Sequence, residues 1–220
     1  MDNSKWPAKA ILPIAMPGIK FVVIAILLTG MFFYFGWQVL GGIFVCLTAF
    51  VAWFFRDPDR AVPEESDALV SPADGKVIIV QRLAQCEYMD EPCQKVSIFM
   101  NVFNVHVNRI PFDGVVERVQ YNPGKFINAS FDKASVHNER NALVVKTDEG
   151  KSFAFVQIAG LIARRIVNCV TTGERVRKGD RYGMIQFGSR LDLYLPLAFD
   201  VAVQVGDKTS AGTTIIGHMR

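Results

Sequence analysis

Three side chains in this sequence have the chemistry to make a hydroxyl oxygen react: Ser189, His106 and Asp74. A hydroxyl becomes a nucleophile when a base takes its proton. An imidazole does this best when a carboxylate orients it and balances its charge. Each of the three also has an ordinary structural use. Ser189 follows Gly188 between two strand-like runs, and a Gly-Ser pair is common in β-turns. His106 lies in an apolar, Asn-rich run, where a histidine is equally at home as a satisfied structural residue. Asp74 stands in the turn Pro72-Ala73-Asp74-Gly75, where a carboxylate often bonds nearby backbone N–H groups. From residue type alone, catalysis and structure stay open for all three. The remaining histidines are His137, in a polar stretch, and His218, beside the C-terminus. No two histidines fall at ligand spacing and no CxxC pair occurs, so no metal site is expected.

Positioning such groups requires a scaffold, and the chain shows two kinds. Residues 21–55 carry no charged residue and no histidine. A single helix over that stretch would be roughly 52 Å long, against a hydrocarbon core of about 30 Å. A bend is therefore expected near Gly36-Trp37-Gln38, giving two short apolar helices over 19–35 and 39–55 in a hairpin. The alternatives are one long tilted helix, or a hairpin dipping into one leaflet. Lys5, Lys9 and Lys20 flank one end of the stretch and Arg56 and Arg60 the other. Positive charge at both ends fits a hairpin whose two ends face the cytoplasm, which places the following domain on the cytoplasmic face of the cell (inner) membrane. Beyond residue 61, short Val-, Ile- and Phe-rich runs over 76–80, 95–99, 114–119, 142–145, 153–158, 183–187, 191–195 and 201–205 alternate with Gly, Pro, Asp and Asn. That pattern predicts a mainly β, sandwich-like domain. Residues 123–136 read as a long irregular loop. The domain division is thus an N-terminal membrane anchor over 1–56 and a β-rich domain over 57–220. The formal net charge of +3 forms no basic stripe, so nucleic acid is not an expected partner. Cys86 and Cys93 have the spacing to bridge a loop, but four cysteines in 220 residues fit free thiols in a reducing compartment better.

Several segments, in order along the chain, resemble the phosphatidylserine decarboxylase family. They are Phe54-Phe55-Arg56-Asp57-Pro58-Asp59-Arg60, then Ser71-Pro72-Ala73-Asp74-Gly75-Lys76, then the run from Phe103 to Pro111 around His106. Asn138-Glu139-Arg140-Asn141, residues 160–166 and Phe187-Gly188-Ser189-Arg190 follow. The short length and the Gly-Ser-Arg form resemble the compact branch of the family, shared with archaetidylserine decarboxylases. Two positions depart from longer relatives: Phe103 stands where they carry a second histidine, and Arg190 replaces a small residue after the serine.

The resemblance implies a function. Decarboxylation of an amino acid leaves an electron pair on Cα that no ordinary side chain can hold. The resemblance implies a pyruvoyl cofactor made from Ser189 by self-cleavage after Gly188, which takes the substrate amine as a Schiff base. The products of the cut would be chains 1–188 and 189–220, held together as a heterodimer. It further implies that His106 is the base for Ser189, that Asp74 supports His106, and that phosphatidylserine and membrane lipids are the partners. Lys125, Arg164 and Arg165 are candidates to meet the lipid phosphate, and Phe103 and Phe187 to desolvate the substrate carboxylate. Two other readings compete. A membrane-tethered β-sandwich adaptor would explain the Gly-Asp turns, but no lysine-attachment turn is present. A serine hydrolase would use the same three residues, but lacks a G-x-S-x-G elbow.

Overall fold

The computed structural model describes residues 13–129, 137–161, 165–186 and 189–220. These fall into two compact units, divided between residues 59 and 60.

The first unit is a helical hairpin. Helix α1 spans Met16–Tyr34 and helix α2 spans Gln38–Phe54. The bend expected near residue 36 is present, with each helix beginning and ending within three residues of the expected bounds. Gly36 makes the bend, since its φ of 76° is disfavoured for residues with a side chain. The Trp37 amide donates to Phe32 O at 2.9 Å and the Gly36 amide to Phe33 O at 3.0 Å, which closes α1 with two crossed bonds of the Schellman type. The open ends of the hairpin are tied as well. Ile14 and Arg56 form an antiparallel bridge, and the Asp57 amide donates to Pro13 O at 2.9 Å. Small residues let the helices close: a Cβ on Gly41 would lie 2.7 Å from the Phe33 ring. By length and composition α1 is long and apolar enough to cross a membrane, while α2 is apolar but shorter. Large apolar side chains face outward, among them Leu27, Val39 and Ile43.

The second unit is built from strands, as the alternating runs predict. An eight-stranded antiparallel sheet has the order β13-β2-β3-β11-β7-β6-β5-β9. Its strands are β2 (Gly75–Leu83), β3 (Cys93–Met100), β5 (Gly114–Asn122), β6 (Arg140–Lys146), β7 (Ser152–Ala159), β9 (Arg175–Val176), β11 (Ser189–Pro196) and β13 (Lys208–Thr209). Two three-stranded sheets complete the unit. One holds β4 (Val107–Arg109), β10 (Arg181–Gln186) and β8 (Arg165–Asn168); the other holds β1 (Ala68–Val70), β14 (Ile215–Met219) and β12 (Phe199–Val201). All three sheets feed one core, where Leu69, Phe155, Tyr182, Leu193 and Ile216 meet.

Strand β11 lies inside the large sheet, paired to β3 from Ser189↔Met100 to Pro196↔Cys93 and to β7 from Ser189↔Ala159 to Tyr194↔Ala154. Every residue of it is buried. Leu191, Leu193 and Leu195 enter the main core, each contributing about 1.5–3 kcal/mol of burial. Arg190, Asp192 and Tyr194 alternate onto the other face.

Two expectations change. The run over 201–205 is a strand only at Val201; Gln204–Asp207 closes a turn, and Val205 is 61 % exposed. Its alternation is that of a strand, but Gly206, with φ of 107°, turns the chain before a ladder can form. The run over 183–187 begins earlier, at Arg181, and its last residue lies outside the described residues, as does part of the loop over 123–136. The four cysteines are free thiols. Burial, reinforced by a hydrogen bond with Cys86, pushes the Cys93 thiol up to about 12.

Candidate active site

The first residue of β11 is Ser189, and its position follows from the sheet. Its backbone lies between Met100, the last residue of β3, and Ala159, the last residue of β7. The side chain is fully buried, and its hydroxyl donates weakly to the Met100 sulfur at 3.4 Å. Ala159, paired beside Ser189, packs against Ile185. Gly188 and Phe187, and with them the bond expected to break, lie outside the described residues.

His106 immediately precedes β4, which pairs with β10 through Val107↔Met184. The His106 carbonyl accepts from the Ile185 amide at 3.4 Å. Along the chain β10 is followed by residues 187–188 and then Ser189, so the imidazole immediately precedes the strand that pairs with β10. The ring is fully buried. Its Nδ1 lies 2.9 Å from the Asn104 carbonyl. A carbonyl oxygen only accepts, so Nδ1 carries a proton, and in the neutral ring the basic lone pair is then on Nε2. The turn that presents Asn104 is laced by its own side chains: Asn104 Oδ1 accepts from the Asn101 amide and Asn101 Oδ1 from the Phe103 amide, both at 2.9 Å.

Asp74 is 9 % exposed and enters neither of these contacts. One carboxylate oxygen accepts from Arg60 at 2.8 Å and the other from the Ala211 amide at 2.7 Å. This is no local Asx turn, since its backbone partner is 137 positions away. The nearby Pro72 carbonyl accepts from the Arg109 amide at 3.0 Å, which joins the Asp74 turn to the far end of β4. Lys76 pairs with Phe99, and Phe99 with Arg190, so Asp74 and Ser189 stand at the same end of the sheet on either side of β3. Two strand spacings, roughly 10 Å, separate their backbones. Ser189 thus opens β11 of the large sheet, His106 immediately precedes β4 of the sheet that also holds β10, and Asp74 immediately precedes β2, two strands from β11. Asn104, rather than Asp74, supplies the acceptor on the imidazole N–H.

A buried polar chain joins β6 and β7 to β4 and ends on the Met100 sulfur of β3. Asn141 donates to Gln157 Oε1 at 3.3 Å, Gln157 Nε2 donates to Asn108 Oδ1 at 2.9 Å, and Asn108 lies 3.8 Å from the Met100 sulfur that also takes the Ser189 hydroxyl. All three amides are 3 % exposed or less. A buried amide left without a partner costs about 1–3 kcal/mol, so each member holds the next in place. Gly183 permits the arrangement, because a Cβ there would sit 2.3 Å from Val167 O and 3.0 Å from Gln157 Nε2. Asn138 adds a further tie, donating to the carbonyls of Ile127 and Ala159 at 2.7 Å each. The only hint in the sequence is that Asn and Gln interrupt otherwise apolar strands.

The other candidates are dispersed. Arg165 opens β8 opposite Gln186 and is exposed, as is Lys125, which bridges to Asn138; Arg164 lies outside the described residues. Phe103 is 66 % exposed, so it does not wall a dry pocket. His218 meets Glu65 at 3.2 Å in the sheet of β14, and His137 is exposed. Among the described residues no cluster of His, Cys, Asp and Glu is arranged to hold a metal ion.

Comparison with known proteins points to one family. A family model described as phosphatidylserine decarboxylase matches residues 47–217. The chain is 46 % identical over 207 residues to a phosphatidylserine decarboxylase proenzyme of Desulfotalea psychrophila, covering 94 % of this chain and 97 % of that one. It is 52 % identical over 170 residues to the proenzyme of Syntrophus aciditrophicus, covering 77 % and 80 %. With the proenzyme of Ralstonia pickettii it shares 48 % over 202 residues, covering 84 % and 94 %.

Proposed function

The chain belongs to the phosphatidylserine decarboxylase family, and on that footing we propose that it cuts itself between Gly188 and Ser189 and then converts phosphatidylserine to phosphatidylethanolamine and CO2. The observation that supports this reading is that His106, with Nδ1–H donating to the Asn104 carbonyl, immediately precedes β4, the strand paired with β10, which comes just before Ser189 in the chain. The names of relatives at 46–52 % identity favour phosphatidylserine over an archaeal ether lipid.

The cut needs only groups of this chain and water. His106 Nε2 takes the Ser189 hydroxyl proton as Oγ adds to the Gly188 carbonyl carbon. The C–N bond between 188 and 189 breaks, the nitrogen takes a proton, and Gly188 is left as an ester on Oγ. Loss of the Ser189 α-proton expels that ester oxygen, which leaves with Gly188 as a free carboxylate. Water then replaces the nitrogen, released as ammonia, and residue 189 ends as a keto group. Ser189 suits this end, because its backbone is held by strands on both sides and the keto group is no larger than the serine it replaces. When present, that pyruvoyl group supplies the electron sink for the pair left behind by CO2. In this reading His106 also returns a proton to the substrate Cα. Met100, Ala159 and Ile185 keep bulk water from that exchange. Asp74 acts one shell out: its negative charge, fixed by Arg60 and Ala211, favours the imidazolium that forms in the cut.

The direct test is a denaturing gel with intact-mass analysis of the purified protein. Two chains, 1–188 and 189–220, are expected, the smaller one blocked to N-terminal sequencing and reactive toward phenylhydrazine. An active, unblocked single chain would refute the proposal. No disulfide can hold the pieces, because residues 189–220 contain no cysteine. They stay together because the smaller piece supplies β11 within the large sheet, and β12, β13 and β14 besides.

In the same reading the hairpin of α1 and α2 anchors the domain to the cytoplasmic face of the membrane. It keeps the site beside a substrate whose headgroup never leaves the interface. A chain beginning at Arg56 should still cut itself, yet turn over bilayer phosphatidylserine at least about tenfold more slowly than detergent-dispersed substrate. If that shortened chain folds but never cuts, the hairpin is part of the catalytic unit and the anchor assignment is wrong.

A further inference from the structure

Arg190, the residue after Ser189, is fully buried, and its surroundings give it a use that self-cleavage does not require. Its guanidinium grips Asp192 with two bonds, Nε to Oδ1 at 2.6 Å and Nη2 to Oδ2 at 3.1 Å. The same Nη2 donates to Ser97 Oγ at 2.9 Å. Lys95 Nζ reaches the Asp192 carboxylate at 3.0 Å and lies 5.3 Å from the centre of the Tyr194 ring. All of this sits on the face of the large sheet opposite the Leu191, Leu193 and Leu195 side chains. The pairing Asp192↔Ser97 and Tyr194↔Lys95 brings the groups together.

Three of these contacts cross from one product chain to the other: Arg190 to Ser97, and Lys95 to Asp192 and to the Tyr194 ring. Ser97 and Lys95 belong to 1–188; Arg190 and Asp192 belong to 189–220. Before the cut, residue 189 is held from both sides by the covalent chain. Afterwards it is a chain end, and strand ends open first because only one neighbour restrains them. The reactive group, however, must stay beside His106 through every turnover. For the end to fray, Arg190 must leave a buried carboxylate and a buried hydroxyl. Charge-assisted bonds in a low-dielectric setting resist that strongly.

We propose that Arg190, Asp192, Ser97 and Lys95 form an end clamp, which holds the new N-terminus of 189–220 in register after the cut and is dispensable before it. Arg190 is a positioning residue in this arrangement, since it acts through the register of β11. The proposal rests on the self-cleavage reading above.

The test uses the full-length protein with Ser97→Ala, Lys95→Met and Asp192→Asn made singly, each also in a Ser189→Ala background that cannot cut. Self-cleavage is followed on gels, and amide hydrogen exchange is read on peptides covering 190–194. Cleavage is expected within about twofold of the parent, while exchange at 190–193 rises about tenfold or more in the cut variants and stays near the parent level in the uncut background. The keto group should also react faster with phenylhydrazine in the cut variants. Unchanged exchange in the cut variants overturns the clamp. So does an equal rise in cut and uncut proteins, which would mark the cluster as ordinary core. If Asp192→Asn fails to fold, Ser97→Ala decides the matter, since it removes a single hydroxyl. A parent protein that never cuts itself overturns the cleavage reading instead, and is seen before any variant is compared.

Discussion

Ser189→Ala yields a folded single chain of 220 residues that never divides and has no decarboxylase activity. The substitution deletes the one oxygen able to attack Gly188, and no other group can make the keto function at residue 189. Folding is expected to survive. Ser189 is buried, but its hydroxyl makes only a weak 3.4 Å contact with the Met100 sulfur, and alanine fills the remaining volume. The stability change should be about 1 kcal/mol or less, the usual worth of one neutral hydrogen bond. A denaturing gel and an activity assay on the same preparation check both halves. Ser189→Cys separates size from chemistry: a thiol can attack through a thioester, so slow cutting should return. Cleavage of the alanine variant at 188–189 would show that the serine oxygen is not the nucleophile.

His106→Ala should slow self-cleavage roughly 100- to 10,000-fold, the usual worth of a positioned general base. In the proposed role the Asn104 carbonyl holds a proton on Nδ1, and Nε2 of the neutral ring accepts the serine proton. Asp74→Asn should also slow the cut strongly, by removing the charge that favours the imidazolium. Because the two residues serve one step, the double variant should be little worse than the worse single one. The time course of appearance of the 189–220 piece on gels measures all three. Normal cutting in both single variants would remove His106 and Asp74 from the mechanism. His137→Ala is the control, and its exposed side chain should make it nearly silent.

Much of this protein could be read from local pattern. The alternating runs over 153–158 and 191–195 read as strands, and both are strands of the large sheet. The hairpin followed from length: a charge-free stretch of 35 residues is too long for one crossing, and Gly36 can take the backbone conformation a reversal needs. Order of motifs along the chain identified the family, because several short matches in sequence are far more specific than any one of them.

What local pattern left undecided was the partner of each polar group. Residue type and turn context made Asp74 and His106 a natural pair, yet the Asp74 carboxylate meets Arg60 and Ala211, and the imidazole meets Asn104. Arg190 read as a mere departure from the family form, since a charged residue carries no sign of being buried. Its carboxylate partner is two residues away, but its hydroxyl partner, Ser97, is 93 positions away and is reached only through the register of β3 against β11. The same holds for Gln157 and Asn108, 49 positions apart. Periodicity along a chain reports which face a residue takes, because burial follows the pleat. A hydrogen bond requires two atoms within about 3 Å, and when its members come from distant segments, only the packing of whole strands decides which ones meet.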